Sequence, residues 1–211
     1  MFADSHKLIA LNVYNNVFEN YGLKLDKEKL LWGSIAPDIL PKYRFIRHYK
    51  DESLDYVVKE IIKVIFMSRY VDFNNNVDSL TMKLLSRKIG IISHYLTDFV
   101  CVPHSKRWTF IGSMKKHIKY EKELDAYAKH HDFKKHVIST NDIDLYNNES
   151  VELKAQIKNY IESVIEEYSL KLSFKNDLDF AAEFNTKISY FILDTINAYS
   201  EELQRQFIFE V

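Results

Sequence analysis

One cysteine, three prolines and four glycines are all that this chain of 211 residues contains. A single thiol, Cys101, excludes an internal disulfide framework and any cysteine-rich zinc knuckle. Scarce glycine and proline exclude most sandwiches and barrels, whose corners need turn residues at short intervals. No window approaches the ~18 consecutive apolar residues of a membrane span. The opening Met1-Phe2-Ala3-Asp4-Ser5-His6 has neither a basic segment nor an apolar run. It does not read as a secretory signal, and a cytoplasmic location is expected. An excess of one charge is also lacking, since 29 basic and 30 acidic residues leave a net −1. No global field attracts polyanions, so stable nucleic-acid binding is not expected.

What is present is a soluble globular balance, 46% apolar and 28% charged, long enough for one domain over residues 1–211 with a real core. The apolar spacing is helical nearly throughout. Ser5 or Asp4 can cap a first helix whose face runs Leu8, Leu11, Tyr14, Val17, Phe18 and Tyr21, stopped by Gly22. Asp26 opens a second helix ending near Trp32, and Gly33 to Pro41 reads as a turn or loop. A third helix starts at Asp51 or Ser53 and breaks at Asn74-Asn75-Asn76. A fourth spans about Asp78 to Cys101, stopping before Pro103. A fifth runs from Ser113 to about His131. Ser139 to Ser150 reads as a loop, followed by helices near 150–168 and 176–207. The expected architecture is all-α, a bundle of about seven helices.

The chemical signal lies in eight histidines. His94 and Asp98 are four apart, as are His117 and Glu121, and residues so spaced on a helix share a face. His104 follows Pro103 in the joint between their helices. Chance alone gives about one His-x-x-x-acid match in a chain of this composition; three occur, the third being His48 with Glu52. Surface ion pairing explains such spacing equally well. Context separates them. His94 and Asp98 lie between Ile91-Ile92 and Phe99-Val100, where an unpaired carboxylate is costly. His117 and Glu121 sit among Lys115, Lys116, Lys119 and Lys122, as a solvated face would. Imidazoles and carboxylates converging inside a bundle suit zinc or a related metal.

The run Ser93-His94-Tyr95-Leu96-Thr97-Asp98, then His104, then His117-x-x-x-Glu121, resembles the zinc-dependent phospholipase C/P1 nuclease family. Gly33-Ser34-Ile35-Ala36-Pro37-Asp38 followed by Arg47-His48-Tyr49 resembles that family's other signature, and His6 its amino-terminal histidine. The resemblance covers His6 to Glu121. It implies an all-helical fold around a cluster of three zinc ions that hydrolyses phosphoesters. By that likeness Asp38, His48, His94 and Asp98 hold one ion, and His104, His117 and Glu121 a second. Asp98 and His6 share a third with the amino-terminal residue. Asp38 is also the candidate catalytic proton acceptor. The family's terminal tryptophan is replaced here by Met1, five residues before His6. Either the Met1 amine takes its place, or His6 only caps the first helix and two ions bind.

The implied substrate is a small phosphoester or a phospholipid headgroup. A single-strand nuclease or 3′-nucleotidase is the alternative of the same fold, and a helical protein with purely structural metals the alternative of another class. Tyr43, Phe45, Ile46 and Tyr49 flank His48. They either bind substrate, stacking on a base or enclosing a choline group, or are core and rim aromatics. Trp32 and Trp108 read as core or rim, Cys101 as a small core residue, and His130, His131 and His136 as surface. With the sequence ending at Val211, soon after its last helix, an appended membrane-binding sandwich is not expected.

Overall fold

The computed structural model describes residues 1–73, 77–108, 110–143 and 152–208. The expected break at 74–76 and most of the expected 139–150 loop lie outside these residues; 139–143 are irregular. The helices are α1 (Ala3–Tyr21), α2 (Lys27–Ile39), α3 (Lys50–Ser68), α4 (Ser79–Phe99), α5 (Val102–Ser105), α6 (Phe110–Ala128), α7 (Leu153–Ser169) and α8 (Phe174–Ile208), with a 3₁₀ turn at Pro41–Tyr43. No strand occurs among the described residues. The eighth helix is the single turn α5, with Pro103 in its first positions, where the missing N–H costs nothing.

Helix α4 is the axis of the fold. Every residue from Ile89 to Phe99 is buried, as expected of a helix that is apolar all round. Helices α1, α2, α3 and α8 pack around it, α7 joins α3 and α8, and α6 lies against α1, α5 and α8. Tyr95, Phe99, Tyr168 and Phe184 are the largest fully enclosed side chains. No helix of the described residues is long and apolar enough to cross a membrane.

The closest helix approach is α2 on α4. A Cβ on Gly90 would meet the Leu30 carbonyl oxygen at 2.3 Å and the Gly33 Cα at 2.9 Å, and one on Gly33 would meet the Arg87 carbonyl oxygen at 2.4 Å. Only two glycines facing each other let these backbones touch. This contact also explains why Gly33 to Ile39 is helix and not the expected loop. The stretch is held against α4, and Pro37 falls in the last turn of α2, where only one hydrogen bond is forgone.

Two further readings are corrected. The cap of α1 is Phe2, which donates no side-chain cap, and not Asp4 or Ser5. The Ser5 N–H and hydroxyl both donate to Asp125 Oδ1 (3.1 and 2.8 Å), tying the start of α1 to α6. His131 is not a surface residue. Its ring is 4% exposed, with Nε2 2.7 Å from Asp179 Oδ1 of α8, and lies against Tyr127 and Phe133. Buried Asp177, two residues earlier, pins the first turn of α8. It accepts the Val102 N–H and the hydroxyls of Tyr120 and Tyr168 at 3.2, 2.9 and 2.7 Å. Burial pushes its carboxyl up to about 7 against the pull of those donors. Asp177 thus fixes α5, and with it His104, against α6 and α7.

Candidate metal centre

One end of the bundle gathers chemistry from six stretches of chain. His6 comes from the first turn of α1, Asp38 from the last turn of α2, and His48 from the segment before α3. His94 and Asp98 stand in the last two turns of α4, His104 in α5, and His117 and Glu121 on α6. Asp98 is the hub. Its Oδ1 is 2.6 Å from the Met1 amine, 3.4 Å from His6 Nε2 and 3.5 Å from His104 Nε2. Its Oδ2 is 2.8 Å from His48 Nδ1 and 3.5 Å from His94 Nε2. Glu121 Oε1 gathers a second set: His117 Nε2 at 2.8 Å, His104 Nε2 at 3.1 Å and the Met1 amine at 3.1 Å. Asp38 Oδ1 closes the first side, 3.6 Å from His94 Nε2 and 3.7 Å from His48 Nδ1.

Three groups have ligand atoms within 4.8 Å of one another: His6, His94 and Asp98; Asp38, His48 and His94; His104, His117 and Glu121. The chemistry of these donors fits divalent cations. His94 Nδ1 donates to the Ser34 carbonyl at 2.8 Å and His117 Nδ1 to the Trp108 carbonyl at 3.0 Å. A carbonyl only accepts, so each neutral ring carries its hydrogen on Nδ1 and a lone pair on Nε2. Those lone pairs face the carboxylates of Asp98, Asp38 and Glu121, an arrangement that is repulsive unless positive charge lies between. His6, 1% exposed, bonds through neither ring nitrogen among the described residues, and its ring stacks on His94 with centroids 4.1 Å apart. Buried His104 Nδ1 is likewise unpartnered.

Electrostatics show the same concentration of charge. Burial holds His94 and His104 below the usual histidine range, keeping them neutral. The bond to Glu121 raises His117. Burial alone would lower His48, but Asp98 raises it above its ordinary value. Burial works to raise Asp98 and Glu121, yet the surrounding imidazoles and the Met1 amine hold both well below the carboxylate range. Asp38 is the exception. Burial first, and then the Asp98 charge, push its carboxyl up.

Some sequence candidates gather here and others do not. All eight side chains from His6 to Glu121 converge, those noted for their place along the chain as well as His6 and Asp38, which only the resemblance named. His48 does so through Asp98, not through Glu52: it precedes α3, while Glu52 pairs with Arg107. Tyr43 is 6% exposed and belongs to the core, whereas Phe45 is 90% exposed. Of the aromatics flanking His48 in sequence, Tyr49 lies against the centre, its ring 6.0 Å from that of His104. Cys101 is buried, as read. The Ser34 and Trp108 carbonyls, which orient two rings, carry no sequence signal because every residue has a carbonyl. Arg107 was missed as well. It sits at φ 48° in the joint before α6, pairs with Glu52 and Asp51, and lies 5.0 Å from the Tyr49 ring.

Compared with known families, residues 5–175 match the zinc dependent phospholipase C family. The chain belongs to that family. The match runs through all eight converging side chains and well into the helices that enclose them. No curated protein and no solved structure matches the chain. Family membership brings zinc dependence and hydrolase chemistry to a donor set that already fits the metal. For this zinc-dependent phospholipase C relative, a cavity of about 220 Å³ opens beside His104, lined by Tyr49, Lys50, Lys106, Arg107 and Tyr168 among others.

Proposed function

We propose that this chain is a phospholipase C-like phosphoester hydrolase working through two or three zinc ions. One observation carries the reading: lone pairs and carboxylates from six stretches of chain meet around buried Asp98, with the outer hydrogens of His94 and His117 tied to backbone carbonyls. Asp38, His48, His94 and Asp98 would hold one ion; His104, His117 and Glu121 a second; His6, Asp98 and the Met1 amine a third. Structural zinc sites are closed four-coordinate shells, and the three side chains of the second set leave a position free. When bound, zinc supplies Lewis acidity toward phosphoryl oxygens and acidifies water.

The chain's own residues do the rest. The Ser34 and Trp108 carbonyls hold His94 and His117 in one tautomer. The enclosed side of the centre, where His6, His94 and Asp98 are no more than 1% exposed, excludes bulk water. Asp38, its side chain 42% exposed, stands at the open side with a raised carboxyl, suited to accept a proton from attacking water. The cavity beside His104 receives the part of the substrate next to the phosphorus, with the Tyr49 ring as one wall.

Purified zinc-loaded protein is to be tested on p-nitrophenyl-phosphorylcholine, bis-p-nitrophenyl phosphate and single-stranded RNA. Hydrolysis of the small esters is expected, with kcat lowered about 100-fold or more in Asp38→Asn if it serves as proton acceptor. Turnover of RNA alone selects the nuclease reading, and full activity in both Asp38→Asn and Glu121→Gln ends the hydrolase reading. The Met1 role has its own check. Extending the amino terminus moves the amine away from Asp98 and Glu121, and metal analysis should then find one zinc fewer per chain. Unchanged stoichiometry would remove Met1 from the site.

A further inference from the structure

We infer that the segment from Ile39 to Lys50 docks the active centre onto an anionic lipid bilayer; this deepens the hydrolase reading and rests on it. Twelve residues, Ile-Leu-Pro-Lys-Tyr-Arg-Phe-Ile-Arg-His-Tyr-Lys, hold four cations and no acid, in a chain whose net charge is −1. Lys42, Arg44 and Arg47 form no ion pair with any acid among the described residues; Lys42 lies 4.7 Å from the Tyr43 ring. Phe45 between them is 90% exposed, the most exposed large apolar side chain described, and Ile39 is 53% exposed.

This exposure is built and not loose. Tyr43 is anchored in the core and Ile46 packs against it. Backbone bonds from Tyr43 N–H to Leu40 O (3.0 Å), Arg44 N–H to Pro41 O (3.1 Å) and Ile46 N–H to Tyr43 O (2.8 Å) lock two successive turns. With both neighbours held inward, Arg44 and Phe45 can only project. Leaving an aromatic ring in water forgoes its burial free energy, and flanking it with unpaired cations suits insertion between anionic headgroups. The segment joins Asp38 to His48, so a surface it touches presents headgroups directly to the open side of the centre.

Co-sedimentation of the full chain with phosphatidylglycerol vesicles, against phosphatidylcholine vesicles, tests this. Binding is expected only to the anionic vesicles and should weaken as salt rises. The double variant Lys42→Gln/Arg44→Gln should bind about 25-fold more weakly, from about fivefold per cation. Phe45→Ala should bind about tenfold more weakly. Turnover of soluble bis-p-nitrophenyl phosphate by the double variant should equal that of the parent. Equal vesicle binding by parent and variants, equal binding to both lipids, or binding to single-stranded RNA in place of vesicles overturns the docking surface. Vesicle binding with no turnover of the soluble ester leaves the docking surface standing and overturns the hydrolase reading instead.

Discussion

Asp98→Asn is expected to remove zinc and activity together. Asn keeps the shape but turns one oxygen into a hydrogen-bond donor and discards the charge. Asp98 Oδ1 serves the Met1 amine, His6 and His104, while Oδ2 serves His48 and His94, so no other residue touches as many partners of the centre. Loss of a partner that merely supports a ligand costs about 10–100-fold in metal affinity, and losing a shared ligand should exceed that. Zinc also contributes several kcal/mol of transition-state charge stabilisation, so kcat/KM should fall by on the order of 10³ or more. Zinc titration of the variant, with helicity measured alongside, separates this from unfolding. A folded Asp98→Asn chain with parental zinc affinity would contradict the assignment of Asp98 as the hub.

Gly90→Ala is the second large effect, and it acts on the fold. Its methyl would lie 2.3 Å from the Leu30 carbonyl oxygen and 2.9 Å from Ser34 N, both backbone atoms that no rotamer change can move aside. Relief requires α2 to back away from α4, and with it the Ser34 carbonyl that holds His94. Overpacking of this kind costs about 3 kcal/mol, which in a chain of this size lowers Tm by about 6–12 °C. Zinc affinity should fall too. Gly22 is the control: it has φ 64° but nothing within 4 Å of its missing Cβ. Alanine there should cost only the backbone strain, about 1 kcal/mol. Thermal unfolding of the two variants checks the contrast, and a Gly90→Ala chain as stable as Gly22→Ala would refute the close-contact explanation.

Most helices were legible because apolar residues recur at helical spacing along them, and the all-α class follows from the same pattern. The centre was legible where its members lie four apart on one helix, as His94 and Asp98 do. It was also legible where a family signature gave an order. What spacing cannot see is a partner distant in the chain. His131 lies among lysines in sequence, yet its partner Asp179 is 48 residues away on α8. His48 and Glu52 have the right interval, but the helix begins only at Lys50, so the interval carries no shared face. Pro37 marked a loop by its ordinary preference, whereas its place in a last turn makes it tolerable, and the glycine contact of α2 with α4 holds the segment helical. Backbone groups such as the Ser34 carbonyl become functional only through packing.

Elemental analysis of the untagged, purified chain tests the central claim most directly. Two or three zinc ions per chain are expected, with the number reduced when His94 and His104 are both replaced by alanine. One ion or none, or a content that survives the loss of both histidines, would contradict it.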